Sequence, residues 1–150
     1  MLTSDAIRGL VPHHGTMCLI DAVESWDASG IVCTTGQHRS VGNPLAREGR
    51  LSVVHAIEFA AQAMAIHGAL VIAARHATPR MGLLLSVRDC RFHCDRLDQV
   101  AGDLHVKAHR LAGSAIMLMY GFTVSAGMHC LAEGRVSVLL RDMTGEDARA

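Results

Sequence analysis

The chain has 150 residues, half of them apolar and only 3% aromatic, with 14 basic and 14 acidic side chains. That length suits one domain able to bury about two thirds of its unfolded surface, with a core built from Ala, Val, Leu, Ile and Met. A formal charge of zero lacks the basic excess of a general nucleic-acid binder, so no nucleic acid is expected as a partner. Cys18, Cys33, Cys90, Cys94 and Cys130 are odd in number and scattered, which suits a reducing compartment. The opening Met1-Leu2-Thr3-Ser4-Asp5 lacks the basic-then-apolar order of a signal peptide, so a cytoplasmic location is expected.

Thr3 or Ser4 can cap a short N-terminal helix within residues 1–10, stopped before Pro12. Met17 to Asp27 reads as a strand, turned by Ser29-Gly30 into a second, Ile31 to Gln37. His38 to Arg50 holds Gly42, Asn43, Pro44 and Gly49, which is loop chemistry. Leu51 to Arg75 is a long Ala-rich run with almost no solvated face, so it reads as one helix buried on most sides. His55, Glu58, Gln62 and His67 within it argue against a membrane span.

After Thr78-Pro79 the pattern becomes extended: Met81 to Cys94, Val100 to Leu111, Ile116 to Ala126 and Met128 to Leu140, with turns at Gly113-Ser114 and Ala126-Gly127. Cys90, His93 and Cys94 have the donor types of a zinc site. On a strand, however, the two cysteines share one face and His93 takes the other. They read as core thiols, and no metal is expected. Residues 141–150 form a polar tail expected to fray. Strands, one long helix and more strands describe a single α+β domain whose antiparallel sheet wraps a central helix.

A helix advances about 100° per residue, which puts His55, Glu58 and Gln62 within about 60° of one another. An acid, a base and an amide in one row are the groups of general acid–base chemistry. A Glu–His ion pair inside the core is the plainer alternative, because buried charges need partners.

Leu10-Val11-Pro12-His13 followed by Met17-Cys18-Leu19-Ile20-Asp21 resembles the "LPH…MLLID" opening of 3-hydroxyacyl-acyl-carrier-protein dehydratases. Glu58 to Leu70, "EFAAQAMAIHGAL", resembles their "EAMAQ" helix, and Asn43 to Leu70 looks like the dehydratase-like branch of aryl-polyene-type clusters. The resemblance implies a hotdog fold and conversion of 3-hydroxyacyl to trans-2-enoyl thioesters, with no cofactor. It implies as partners an acyl carrier protein with a phosphopantetheine-linked acyl group, and either a second copy or another hotdog subunit. A hotdog thioesterase, or a weakly active or non-catalytic acyl-binding subunit of a heterodimer, are the alternatives.

In that family a His of a "GHFPG" loop and an acid on the helix form the active site. Glu58 matches the acid, while the His position falls near Asn43-Pro44, where no histidine stands. His55, one turn before Glu58, is then the candidate base and His38 a substitute, with Asn43 and Gln62 in support. Backbone N–H groups near Ser52 and Val53, at the helix start, are expected to hold the thioester oxygen. His13, His14, His67, Asp21 and Trp26 read as structural. Arg39, Arg47, Arg50, Arg75 and Arg80 flank the helix and can meet an acidic carrier protein.

Overall fold

Period-two burial makes the strands of this protein, and one continuous apolar run makes its helix. A computed structural model describes residues 1–10 and 15–142. In chain order the elements are β1 (Leu2–Thr3), α1 (Ser4–Arg8), β2 (Ala22–Trp26), β3 (Gly30–Thr35), α2 (Ala56–Ala74), β4 (Arg80–Phe92), β5 (Leu104–Gly113), β6 (Met117–Ala126) and β7 (His129–Asp142). Ile31, Cys33 and Thr35 of β3 alternate inward, as do Leu104, Val106 and Ala108 of β5, because successive strand side chains take opposite faces. The strands form one antiparallel sheet of seven in the order β1-β2-β3-β5-β6-β7-β4. Among the described residues its last strand, β4, pairs with β7 alone.

The sheet packs on α2 through β3, β4, β5 and β6. Phe59, Ala60, Ala63 and Ile66 of the helix share one buried core with Cys33, Val106, Phe122, Val124 and Val136. Each large apolar side chain buried there contributes about 1.5–3 kcal/mol. Val53–Ala74 is long and apolar enough to cross a membrane, yet half of its most apolar stretch is buried inside the fold. Gln62 and His67 are buried on it with hydrogen-bond partners. The helix stops at Arg75, whose N–H reaches Val71 and Ile72 carbonyls, and His76 turns left-handed at φ 50°.

Several boundaries differ from the sequence reading. Leu2–Thr3 is a strand paired with β2, so the N-terminal helix covers only Ser4–Arg8, and the Thr3 side chain makes no cap bond. The strand expected from Met17 begins at Ala22, because the Met17 carbonyl and the Leu19 N–H bond to the Gln62 side chain. The last turn sits one residue later than expected, with Gly127 at φ 55° and Met128 between the paired Ala126 and His129. At the other end β7 continues to Asp142, two residues into the expected tail, where Arg80 pairs with Asp142 at 2.9 Å. His13, His14 and residues 143–150 lie outside the described residues.

Candidate active site

The start of α2 is anchored from outside the helix. Leu51 accepts from the Leu97 N–H at 2.8 Å and Val53 donates to the Asp95 carbonyl at 3.0 Å, a short antiparallel pairing centred on Ser52 and Arg96. The Asp98 carboxylate accepts the Leu51 N–H at 2.7 Å and two Arg96 N–H groups at 3.1 and 2.5 Å. The Arg96 hydrogen bonds, then the Leu51 N–H, hold the Asp98 carboxyl down at about 2.

A 3-10 turn, Val53–His55, leads into the helix, and Ser52 Oγ caps it by accepting the Val54 N–H at 3.4 Å. This removes the Val53 N–H from the expected oxyanion donors. The Val53 N–H is committed to Asp95, the Val54 N–H to Ser52 Oγ and the His55 N–H to the Ser52 carbonyl. A helix begun by a 3-10 turn and a flanking strand satisfies the donors that a bare N-terminus leaves open.

Glu58 stands in the first turn of α2, half-buried. Gln62, one turn later and 2% exposed, decides what Glu58 meets. Its Oε1 accepts the Leu19 N–H at 2.8 Å, and its Nε2 donates to the Met17 carbonyl at 2.8 Å and to Glu58 Oε1 at 3.0 Å. A carbonyl only accepts and a backbone N–H only donates, so Met17 and Leu19 fix which end of the amide is which. The remaining amide hydrogen is thereby aimed at the carboxylate. His55 is half-buried in the preceding 3-10 turn, one helical turn ahead of Glu58 as the spacing predicted.

The loop before the helix is more closed than its composition implied. His38 is 1% exposed, and its Nε2–H donates to the Val100 carbonyl at 3.1 Å. Its Nδ1 is buried without a partner among the described residues, and burial pushes the ring's pKa down. Asn43 Nδ2 donates to the Gln37 carbonyl at 2.8 Å while Oδ1 accepts the Leu45 N–H at 2.9 Å, so this side chain shapes the loop. Asp21 accepts the Gly36 N–H and the Gln37 amide, each at 2.7 Å, and the Thr35 hydroxyl donates to the Leu19 carbonyl at 2.6 Å.

The end of β3 is thus tied to the same Met17–Asp21 segment that holds Gln62. Sequence reasoning missed this framework, including the Arg96–Asp98 clamp. The opening motif marked the segment, but its partners lie elsewhere in the chain. Farther along α2, His67 Nε2–H donates to the Asp27 carbonyl and Nδ1 accepts the Tyr120 hydroxyl, both at 2.7 Å. It is the satisfied core histidine expected, and burial pushes its pKa down.

An antiparallel sheet wrapped around one helix that carries an acid in its first turn defines a hotdog protein. The ApeP-like family model, described as ApeP dehydratase, matches residues 5–147, and the chain belongs to that family. Among solved structures it is similar to the dehydratase heterocomplex ApeI:P from Xenorhabdus doucetiae, at TM-score 0.80 and 20% identity over 95% of this chain and 94% of that one. The thioesterase HI1161 from Haemophilus influenzae gives 0.62 at 10% identity over 95% and 92%, respectively. A point mutant of the thioesterase SAV0944 from Staphylococcus aureus gives 0.58 at 11% over 80% and 92%. At these identities the likenesses speak for the fold. No curated protein matches the chain in sequence.

Proposed function

We propose that this chain is a cytoplasmic hotdog subunit that dehydrates 3-hydroxyacyl groups carried on the phosphopantetheine arm of an acyl carrier protein. The observation that carries this reading is the Glu58–Gln62 hydrogen bond, fixed from Met17 and Leu19, in a member of a family described as a dehydratase. His55 takes a proton from C2 of the acyl group, the C3–O bond breaks, and Glu58 delivers a proton to the leaving hydroxyl, so that water and a trans-2-enoyl thioester result. Gln62 keeps the Glu58 carboxyl turned toward the substrate. Arg47 and Arg50, exposed at the ends of the Glu48-Gly49 turn, meet the acidic carrier protein. Arg39 and Arg80 are instead engaged with Asp103 and Asp142.

The partner is a second hotdog subunit seated along β4. That strand exposes Leu83, Leu84, Leu85 and Phe92, and an unpaired apolar edge is a template for another strand. The Xenorhabdus doucetiae relative is itself a heterocomplex. One specific observation favours a second reading, an acyl-binding subunit whose partner supplies the base: the Asn43 side chain is spent on its own loop and His38 is held by Val100. Intact-mass analysis of 3-hydroxyacyl carrier protein separates the readings. Loss of water with this chain alone supports the first, and loss only after adding a hotdog partner supports the second. Release of the whole acyl group would make the chain a thioesterase.

A further inference from the structure

A bulge rearranges the beginning of β7. Val124 of β6 pairs with Ala132 but the next residue, Ser125, pairs with Cys130, so Leu131 is the extra residue. Leu131 and Ala132 consequently both point into the core. On a regular strand, residues three apart face opposite ways. Here two consecutive inward side chains bring Cys130 and Glu133 to one side. His93, just past the end of β4, joins them: its N–H donates to the Leu131 carbonyl at 2.8 Å, which sets the ring over the bulge.

The three ligand atoms lie within 4.8 Å of one another, with His93 Nε2 to Glu133 Oε1 at 3.8 Å and Cys130 Sγ to Glu133 Oε2 at 3.7 Å. The two distances end on different Glu133 oxygens, and in the second the Cys130 thiol donates to Oε2. Neighbouring donors of tetrahedral zinc lie about 3.4–3.6 Å apart, so the His93 and Cys130 side chains must each draw toward the Glu133 carboxylate to share one ion. The nitrogen–oxygen separation is also too long for a hydrogen bond between His93 and Glu133. Burial, then the Glu133 charge, push the Cys130 thiol up. A divalent cation there would displace the thiol proton and hold the thiolate and the carboxylate together.

We propose that His93, Cys130 and Glu133 form a zinc-type metal site, its fourth position facing the shallow depression lined by His93, Met128, His129, Cys130 and Leu131. This revises the expectation of no metal. The ion would join the end of β4 to the start of β7, two residues before the Asp95 carbonyl that anchors α2, and so act as a clamp apart from the acid–base groups. The site is independent of the proposed reaction.

The test loads the purified full chain with Zn²⁺ or Co²⁺, removes free ion by gel filtration and measures bound metal by mass spectrometry. One ion per chain is expected, with a thiolate-to-cobalt charge-transfer band and a higher Tm than the metal-free protein. Cys130→Ser should abolish the band, His93→Ala should lower retained metal at least tenfold, and Cys94→Ser should change neither. His93 is exposed, so His93→Ala is read against an unchanged circular dichroism spectrum. No retained metal, a band surviving Cys130→Ser, or loss of the band in Cys94→Ser alone would overturn the assignment.

Discussion

The start of α2 and the outer strand β4 are built to opposite standards of completeness. Around the helix start, backbone groups of Leu51, Val53, Met17 and Leu19 are each bonded within the chain, through Leu97, Asp98, Asp95 and Gln62. Among the described residues β4 instead has a ladder on one side only, and it leaves Leu84 and Leu85 46% and 51% exposed. Polar groups removed from water need fixed partners, whereas an apolar edge gains by being covered. The first region is therefore finished by the chain itself and rigid enough to hold an acid. The second is the edge along which we propose that another subunit docks.

The largest test of the finished region is Glu58→Gln, which keeps the shape and removes the acid. Turnover should fall at least about 10²-fold, the usual scale for a general acid–base group, with the circular dichroism spectrum unchanged. His55→Ala should be comparably damaging and His38→Ala milder. The reverse ranking, read from the same mass assay, would return the base to the loop. Gln62→Leu should act on stability as well as rate. It strands the Leu19 N–H and the Met17 carbonyl at about 1–3 kcal/mol for each buried unpaired group, measurable as a lower denaturant midpoint.

On the unfinished side, Leu84→Lys should leave the fold intact and weaken assembly. Loss of one interface leucine is worth about 1.5–3 kcal/mol, or about tenfold to a hundredfold in Kd, seen as a lower mass by light scattering. An unchanged mass would mean that the edge is not the seam. The smallest effect is expected from pH and comes from two buried rings, one in the loop before α2 and one farther along that helix. His38 and His67 both have pKa values lowered in the fold, chiefly by burial, so the unfolded chain takes up protons first. Their contribution to stability is fully present above about pH 6.5, the unfolded value, and is lost as pH falls toward the folded values. Tm should decline between about pH 7 and 5.5, and a profile flat through that window would show that these rings meet water.

Much of the architecture was legible because its causes are local. Extended patterning and turn residues marked the strands to within about five residues, Ala-rich continuity marked α2, and helical spacing put His55, Glu58 and Gln62 in order. The errors came where one segment answers to another. Met17–Asp21 read as a strand on its apolar content, but Gln62, 43 residues beyond Leu19, takes its backbone bonds. Val53 looked like an open helix terminus, but its N–H is spent on the Asp95 carbonyl, 42 residues on in the segment after β4. Cys90 and Cys94 were weighed with His93 because they are near in sequence, while the structure joins His93 to Cys130 and Glu133.

The amino-acid order by itself determined the succession of elements, the apolar helix and the acid embedded in it, since periodicity and side-chain chemistry act over one or two turns. Only the tertiary structure decided which backbone groups remain open, which way the Gln62 amide points, and which donors converge at the β7 bulge. Those outcomes depend on bonds between residues tens of positions apart, and on a one-residue shift in register that reverses which side chains face the core.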